Sequence, residues 1–279
     1  MIEFKITNID KLDDYILLYR KAFKNFSKNT DYFRWLYQEN PDGKFVGVDC
    51  YDNDNLVGQV GGIPHEFIFN QKKMSFLISI NVCVEPKYQG KWLFSKMLIR
   101  FEQIARELDF DGIIGIANQE STPFWQRSIR MKSLGSLDVF IGYGKLDRNN
   151  FNKHNYNFYT FWNKKKLDWR FKNPLNNFYQ KFDDGSQSIY TKTDFFLMDA
   201  YSPLVFFDKD TCFKLKEKKI FKPIVYVGLI NDFKKSTFLF NLPNFLKPSP
   251  LNFVYKFLKS EKNLDSKKVF FTFLEFDAF

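Results

Sequence analysis

Apolar side chains recur at helical spacing at Leu93, Met97, Phe101, Ile104, Ala105 and Leu108, while Lys96, Arg100, Gln103 and Glu107 fall on the opposite side. That pattern predicts an amphipathic helix over 92–108. Leu12, Tyr15, Ile16, Tyr19 and Phe23 share one face of a helix over 11–24. Thr30 or Asp31 caps a second helix carrying Phe33, Leu36 and Tyr37, which Asn40, Pro41, Asp42 and Gly43 stop. Alternating and β-branched runs predict strands over 2–7, 45–51, 56–63, 65–69 and 76–84, with breaks at 52–55, Pro64 and 70–73. Beyond the helix at 92–108 come a buried strand over 112–117, a helix over 123–130 and a strand over 134–143.

Between the strand ending at Val84 and the long helix lies a turn centred on one glycine, within the segment NVCVEPKYQGKWLF of Asn81 to Phe94. A helix N-terminus carries unpaired N–H groups and a partial positive charge, so amides from Gln89 to Phe94 can hold a diphosphate. Gly90 lets the main chain approach such a ligand closely. An ordinary strand-to-helix connection would also use this turn chemistry. Neither GxxxxGK[ST] nor GxGxxG occurs, which excludes those nucleotide-binding loops.

Val84, Pro86, Tyr88, Gln89, Gly90 and Lys91 resemble the acetyl-CoA-binding motif of the GNAT N-acetyltransferases. The element order up to about residue 145 is that family's order as well. The resemblance implies an α/β (α+β) GNAT fold, a mixed central sheet flanked by helices. It also implies that Val82, Cys83 and Val84 hold the pantetheine arm of acetyl-CoA or another short acyl-CoA, and that Gln89, Gly90, Lys91, Trp92, Leu93 and Phe94 surround its diphosphate. Trp92 stands where the family commonly has a small residue, so the turn must make room for an indole. Lys87 and Lys91 can add charge there or simply be solvated, and Glu85 is expected to point away.

Composition narrows the class. A 279-residue chain with 44% hydrophobic and 20% aromatic residues can bury two cores. Its 36 phenylalanines, with abundant Asn and Lys, reflect coding bias more than an aromatic function. No apolar run approaches the ~20 residues of a membrane span, and the first residues are acidic where a signal peptide is apolar, so a cytoplasmic location is expected. Cys50, Cys83 and Cys212 are too scattered for a disulfide framework or a zinc site and read as core thiols; His65 and His154 are too few for a histidine metal site.

The net charge of +10 is uneven: residues 1–145 hold 19 basic and 18 acidic side chains, residues 146–279 hold 23 and 14. A basic half suits an acidic acceptor or an anionic membrane surface, whereas no nucleic-acid motif accompanies the lysines. Residues 146–165 read as a connection, dividing the chain into 1–145 and 166–279. Phe33 to Pro41 (FRWLYQENP) is echoed by Trp169 to Pro174 (WRFKNP). With the ending FFTFLEFDAF, this echo resembles tandem bacterial family members and implies a second, degenerate GNAT-like half that lacks the cofactor motif.

The resemblance also frames the chemistry. Family members often place a catalytic tyrosine in the stretch that here runs from Asn118 to Trp125, with Trp125 at its position. An indole is no acid, so the thiolate leaves unassisted, through water, or with another residue's help. Asn118 can bond the pantetheine amide or cap the next helix. No acid lies between Ser75 and Asn81, which leaves His65, Glu66, or a water chain involving Ser79 or Asn81 as the base. The expected activity is N-acyl transfer to an amine such as a nucleotide- or lipid-linked amino sugar in surface-glycan assembly, with a non-catalytic CoA-binding module as the alternative.

Overall fold

The computed structural model describes residues 1–23, 26–147, 152–183, 186–193, 197–208, 213, 215–218, 222–231, 234–235, 238–247 and 250–276. The elements run β1 (Ile2–Ile6), α1 (Leu12–Ala22), α2 (Thr30–Tyr37), β2 (Val46–Asp52), β3 (Asn55–Phe69), β4 (Lys72–Ser79) and β5 (Cys83–Val84). Then come α3 (Leu93–Glu107), β6 (Gly112–Ala117), α4 (Thr122–Ile129), β7 (Lys132–Ser136), β8 (Asp138–Gly142), β9 (Leu146–Asp147), β10 (Phe158–Tyr159) and α5 (Lys164–Phe171). The remaining strands are β11 (Phe178–Asp183), β12 (Ser186–Lys192), β13 (Asp199–Leu204), β14 (Lys216–Glu217), β15 (Ile224–Leu229), β16 (Lys234–Lys235), β17 (Leu239–Asn241), β18 (Asn252–Phe257) and β19 (Phe271–Thr272).

The chain divides into two compact units. The first comprises residues 1–66, 74–135 and 251–262, and the second comprises 67–73, 136–250 and 263–279. The first unit's sheet runs β1-β2-β3-β4-β6-β18-β7, with β5 attached to β3. It is mixed, because β4 and β6 are parallel while β1/β2, β2/β3 and β6/β18 are antiparallel. Strand alternation puts Val48 and Cys50 on one face, packed with Leu93, Met97, Phe101 and Ile104 of α3 and with Trp125 and Ile129 of α4. Asp49 and Gln59 point to the other face and meet Tyr15 and Tyr19 of α1.

Several boundaries differ from those the sequence suggests. Pro64 does not divide two strands: β3 runs through it, because β2 pairs only as far as Gly62 and Pro64 turns its backbone edge to Asn40, whose Nδ2 donates to the Pro64 carbonyl at 2.8 Å. Asn29, not Thr30 or Asp31, caps α2, its Oδ1 accepting the Tyr32 N–H at 3.0 Å. The strand expected over 134–143 is two, β7 in the first unit's sheet and β8 in the second unit's. The neighbour of β6 comes instead from the C-terminal part of the chain, with β18 pairing Asn252 to Ala117 through Phe257 to Gly112.

The second unit's sheet runs β14-β11-β12-β13-β15-β8-β17, with β19 on β15, around Phe140, Tyr201, Phe206, Tyr226 and Phe270. The internal echo has a structural counterpart. Helices α2 and α5 are both eight residues long, capped by Asn29 and Asn163 with matching 3.0 Å bonds from Tyr32 N–H and Lys166 N–H. Each is followed by a buried Asn-Pro turn in which Asn40 or Asn173 accepts the N–H two residues on, at 3.1 and 3.0 Å. Cys50 and Cys83 are free and buried as expected, and Cys212 lies outside the described residues.

Candidate acyl-CoA site

The parallel pairing of β4 with β6 runs from Phe76 opposite Gly112 to Ser79 opposite Gly115 and then stops. Ile80 still donates to the Gly61 carbonyl at 3.2 Å, but Asn81 takes a left-handed conformation with φ 51°. The chain turns there. It resumes as β5, antiparallel to Gly58 and Gln59 of β3, while β6 continues against β18 alone. Among the described residues nothing bridges β5 to the end of β6, so the two strands open a V between Asn81–Val84 and Gly115–Asn118. A cavity of about 910 Å³ fills this V.

Asn81 is held in place from α1. The Tyr19 hydroxyl lies 2.6 Å from the Asn81 carbonyl oxygen and also contacts Gln59 Oε1 and, at 3.1 Å, the Tyr37 hydroxyl. Tyr37 donates to Gln59 Oε1 at 3.0 Å, and Gln59 Nε2 donates to Asp49 Oδ1 at 3.0 Å. Asp49 further accepts from Tyr15 at 2.7 Å and Thr7 at 2.8 Å. Burial pushes the carboxyl of Asp49 and the phenols of Tyr15, Tyr19 and Tyr37 upward. These hydroxyls stay protonated and can keep donating.

The wide end of the V meets the N-terminus of α3. Gly90 has φ +77°, and a Cβ built there would meet nothing within 4 Å. Trp92, the N-cap, is left-handed as well, at φ 61°, with no side-chain capping bond. The amides of Gly90 to Ser95 have no partner among the described residues, the first donor of the turn being Lys96 to the Trp92 carbonyl at 3.1 Å. Gln89 is a correction to the expected range: its N–H is taken by the Pro86 carbonyl at 3.2 Å, so the free amides begin one residue later. Open space over Gly90 and a row of unpaired N–H groups fit a diphosphate, and the V beyond them fits an extended pantetheine arm.

Val82, Cys83, Val84, Gln89, Gly90, Trp92, Leu93, Phe94 and Asn118 all line this cavity. Lys91 does not; its ammonium lies 4.8 Å from the Tyr88 ring centroid. Glu85 is buried and turned to Lys87 at 3.1 Å and Lys21 at 3.6 Å, so it stays off the anion site. Asn118 holds the turn into α4, its Oδ1 accepting the Ser121 N–H at 2.8 Å while its carbonyl accepts the Thr122 hydroxyl at 2.7 Å.

His65 and Glu66 are not brought to the cavity. His65 is buried with Nδ1 4.0 Å from Asp42 Oδ2, and the same carboxylate oxygen accepts the Glu66 N–H at 2.9 Å. The unbroken β3 fixes both beside the loop after α2. The ionisable side chains that do line the cavity are Lys28, Cys83, Tyr88 and Glu120. Burial pushes the Cys83 thiol far up, which disarms it as a nucleophile. Tyr88 donates to Asp52 at 2.8 Å, and that bond raises the phenol. Glu120, exposed before α4, escaped the sequence reading, because nothing local distinguishes it from a solvated loop acid. Trp125 is buried, its ring edge-on to Phe94 at 6.0 Å and 86°.

Residues 3–116 match the acetyltransferase (GNAT) domain model. A putative glycylpeptide N-tetradecanoyltransferase of Amsacta moorei entomopoxvirus is 25% identical over 168 residues, covering 59% of this chain and 52% of that protein. An uncharacterized N-acetyltransferase of Methanocaldococcus jannaschii is 26% identical over 137 residues, covering 44% of this chain and 59% of its own. The chain thus spans little more than half the length of these relatives. A GCN5-related N-acetyltransferase from Anabaena variabilis shares the fold over 92% of this chain and 73% of its own, with a TM-score of 0.58 at 12% identity. The stretch from β1 to β6, which contains both the V and the free amides, is thus the part of the chain that matches the GNAT acetyltransferase domain, and GNAT acetyltransferases use acetyl-CoA.

Proposed function

We propose that the first unit transfers an acetyl or other short acyl group from acyl-CoA to an amine by direct attack in a ternary complex. One observation carries this reading: the parted edges of β5 and β6 lead straight onto the free amides of Gly90 to Ser95. Bound there, acyl-CoA would lay its pantetheine along Val82 to Val84 and bring its thioester toward the vertex at Ser79, Asn81 and Gly115. Among the described residues no histidine lines the cavity, and the one carboxylate at its wall is the exposed Glu120. The amine then attacks the thioester carbonyl in its free-base form, the C–S bond breaks as the C–N bond forms, and the proton shed by the nitrogen passes directly or through water to the departing thiolate, whose parent thiol, with a pKa of roughly 8.5, needs no protein acid.

The acceptor we favour is an amino sugar, nucleotide- or lipid-linked, used in surface-glycan synthesis in the cytoplasm. The excess of basic over acidic residues in 146–279 supports an acidic acceptor, or peripheral contact with an anionic membrane. No helix among the described residues is long and apolar enough to cross a membrane. The matched caps and Asn-Pro turns of α2 and α5 support reading the second half as a degenerate GNAT-like repeat. A second reading, a CoA-binding module without turnover, is favoured by the buried Trp125 at the tyrosine position.

Thiol release from acyl-CoA separates the two. The chain is incubated with acetyl-CoA, and with longer acyl-CoAs because one relative is named a tetradecanoyltransferase, against a panel of amino-sugar nucleotides. Amine-dependent thiol release supports transfer; tight CoA binding with no release on any amine supports the module.

A further inference from the structure

Trp92 combines three properties that turn chemistry alone does not explain. It is a bulky residue in the left-handed region at φ 61°, which for any L-residue other than glycine is costly. Its side chain is left in water, at 72% exposure, whereas Trp35, Trp125, Trp162 and Trp169 are all buried. It also lines the cavity beside Gly90, at the end where the diphosphate would sit. A glycine would relieve the backbone and remove the exposed apolar surface together.

We infer that the indole of Trp92 is a stacking platform for the adenine ring of the acyl donor. The inference rests on the acyl-CoA reading above and extends it to the nucleotide end of the ligand. A diphosphate on the amides of Gly90 to Ser95 places the adenosine just outside the cavity mouth, where the chain offers a flat, solvent-facing π surface. A base stacked on an aromatic side chain contributes roughly a five- to hundredfold gain in affinity. The exposed ring is then covered only when the donor is bound.

The test compares CoA with 4′-phosphopantetheine, which lacks the 3′-phospho-AMP half and so the adenine together with one phosphate of the diphosphate, on the wild-type chain, Trp92→Gly and Trp92→Phe. Because Trp92 is the exposed tryptophan, acrylamide quenching of its emission reports on it directly. The expected result is that CoA, but not phosphopantetheine, shields the wild-type emission from acrylamide. Trp92→Gly should weaken CoA binding roughly tenfold and leave phosphopantetheine binding unchanged, with Trp92→Phe between. An equal loss for both ligands, or no loss for CoA, would overturn the platform while leaving the acyl-CoA site standing. Failure of CoA to bind the wild-type chain would overturn the platform together with the reading beneath it.

Discussion

The Tyr19 hydroxyl lies 2.6 Å from the backbone carbonyl oxygen of Asn81, the left-handed residue at which the fourth strand leaves its parallel partner. A side chain on the first helix thereby holds the vertex of the cavity open. Removing the hydroxyl strips a partly buried carbonyl of its donor, a loss on the order of 1 kcal/mol.

Tyr19→Phe should therefore raise the KM for acyl-CoA several-fold, with a smaller change in kcat. Tyr37→Phe is the comparison, since the Tyr37 hydroxyl bonds Gln59 and Tyr19 and meets the side chain of Asn81 rather than its backbone carbonyl. It should lower the melting temperature by a similar amount and leave the KM unchanged. Equal effects of the two variants on KM would show that the network acts only through general stability.

The pH dependence of transfer should belong to the acceptor. With no buried base at the vertex among the described residues, kcat/KM should rise with pH until the acceptor amine is deprotonated, and the inflection should move when amines of different pKa are compared. An inflection that stays fixed across the amine series would reveal a protein base. Glu120→Gln then asks whether the carboxylate at the cavity wall is that base.

Glu275, in the second unit, makes stability depend on pH. Burial raises its carboxyl to about 7 although Thr272 donates to it through both N–H and hydroxyl, at 2.7 and 2.9 Å. The folded chain keeps this proton to about pH 7, while the unfolded chain releases it near the ordinary 4.5. Between those values the unfolded state binds fewer protons, so stability falls as pH rises, by on the order of 3 kcal/mol once past the upper value. Denaturant titrations at pH 5 and pH 8 should show that fall in the wild-type chain and much less of it in Glu275→Gln. Parallel curves for the two proteins would contradict it.

Features written in a short stretch of residues were legible in the sequence. The apolar spacing of α3 and the single Gly90 located the turn whose N–H groups stand unpaired at the helix start, because helix period and turn chemistry are local. What depends on contacts far along the chain was not. The V needs Tyr19 to reach Asn81 across 62 positions, and no pattern near Asn81 announces it. The strand at β18 enters the first unit's sheet from residue 252, so a division at residue 145 could not contain it. His65 and Glu66 follow a proline whose local chemistry suggests a strand end, but β3 runs through Pro64, and the His65 ring and the Glu66 N–H meet Asp42 instead.

The most direct test is calorimetric titration of acetyl-CoA into the wild-type chain, Gly90→Val and Gly135→Val. Both glycines have positive φ, +77° and +98°, and open space at the position of a Cβ, so both valines strain the backbone, but only the one at 90 enters the space over the free amides. Binding to the wild-type and Gly135→Val chains, with at least a tenfold loss in Gly90→Val, is the predicted result. Undiminished binding to Gly90→Val, or none to the wild-type chain, would contradict an acyl-CoA site at this turn.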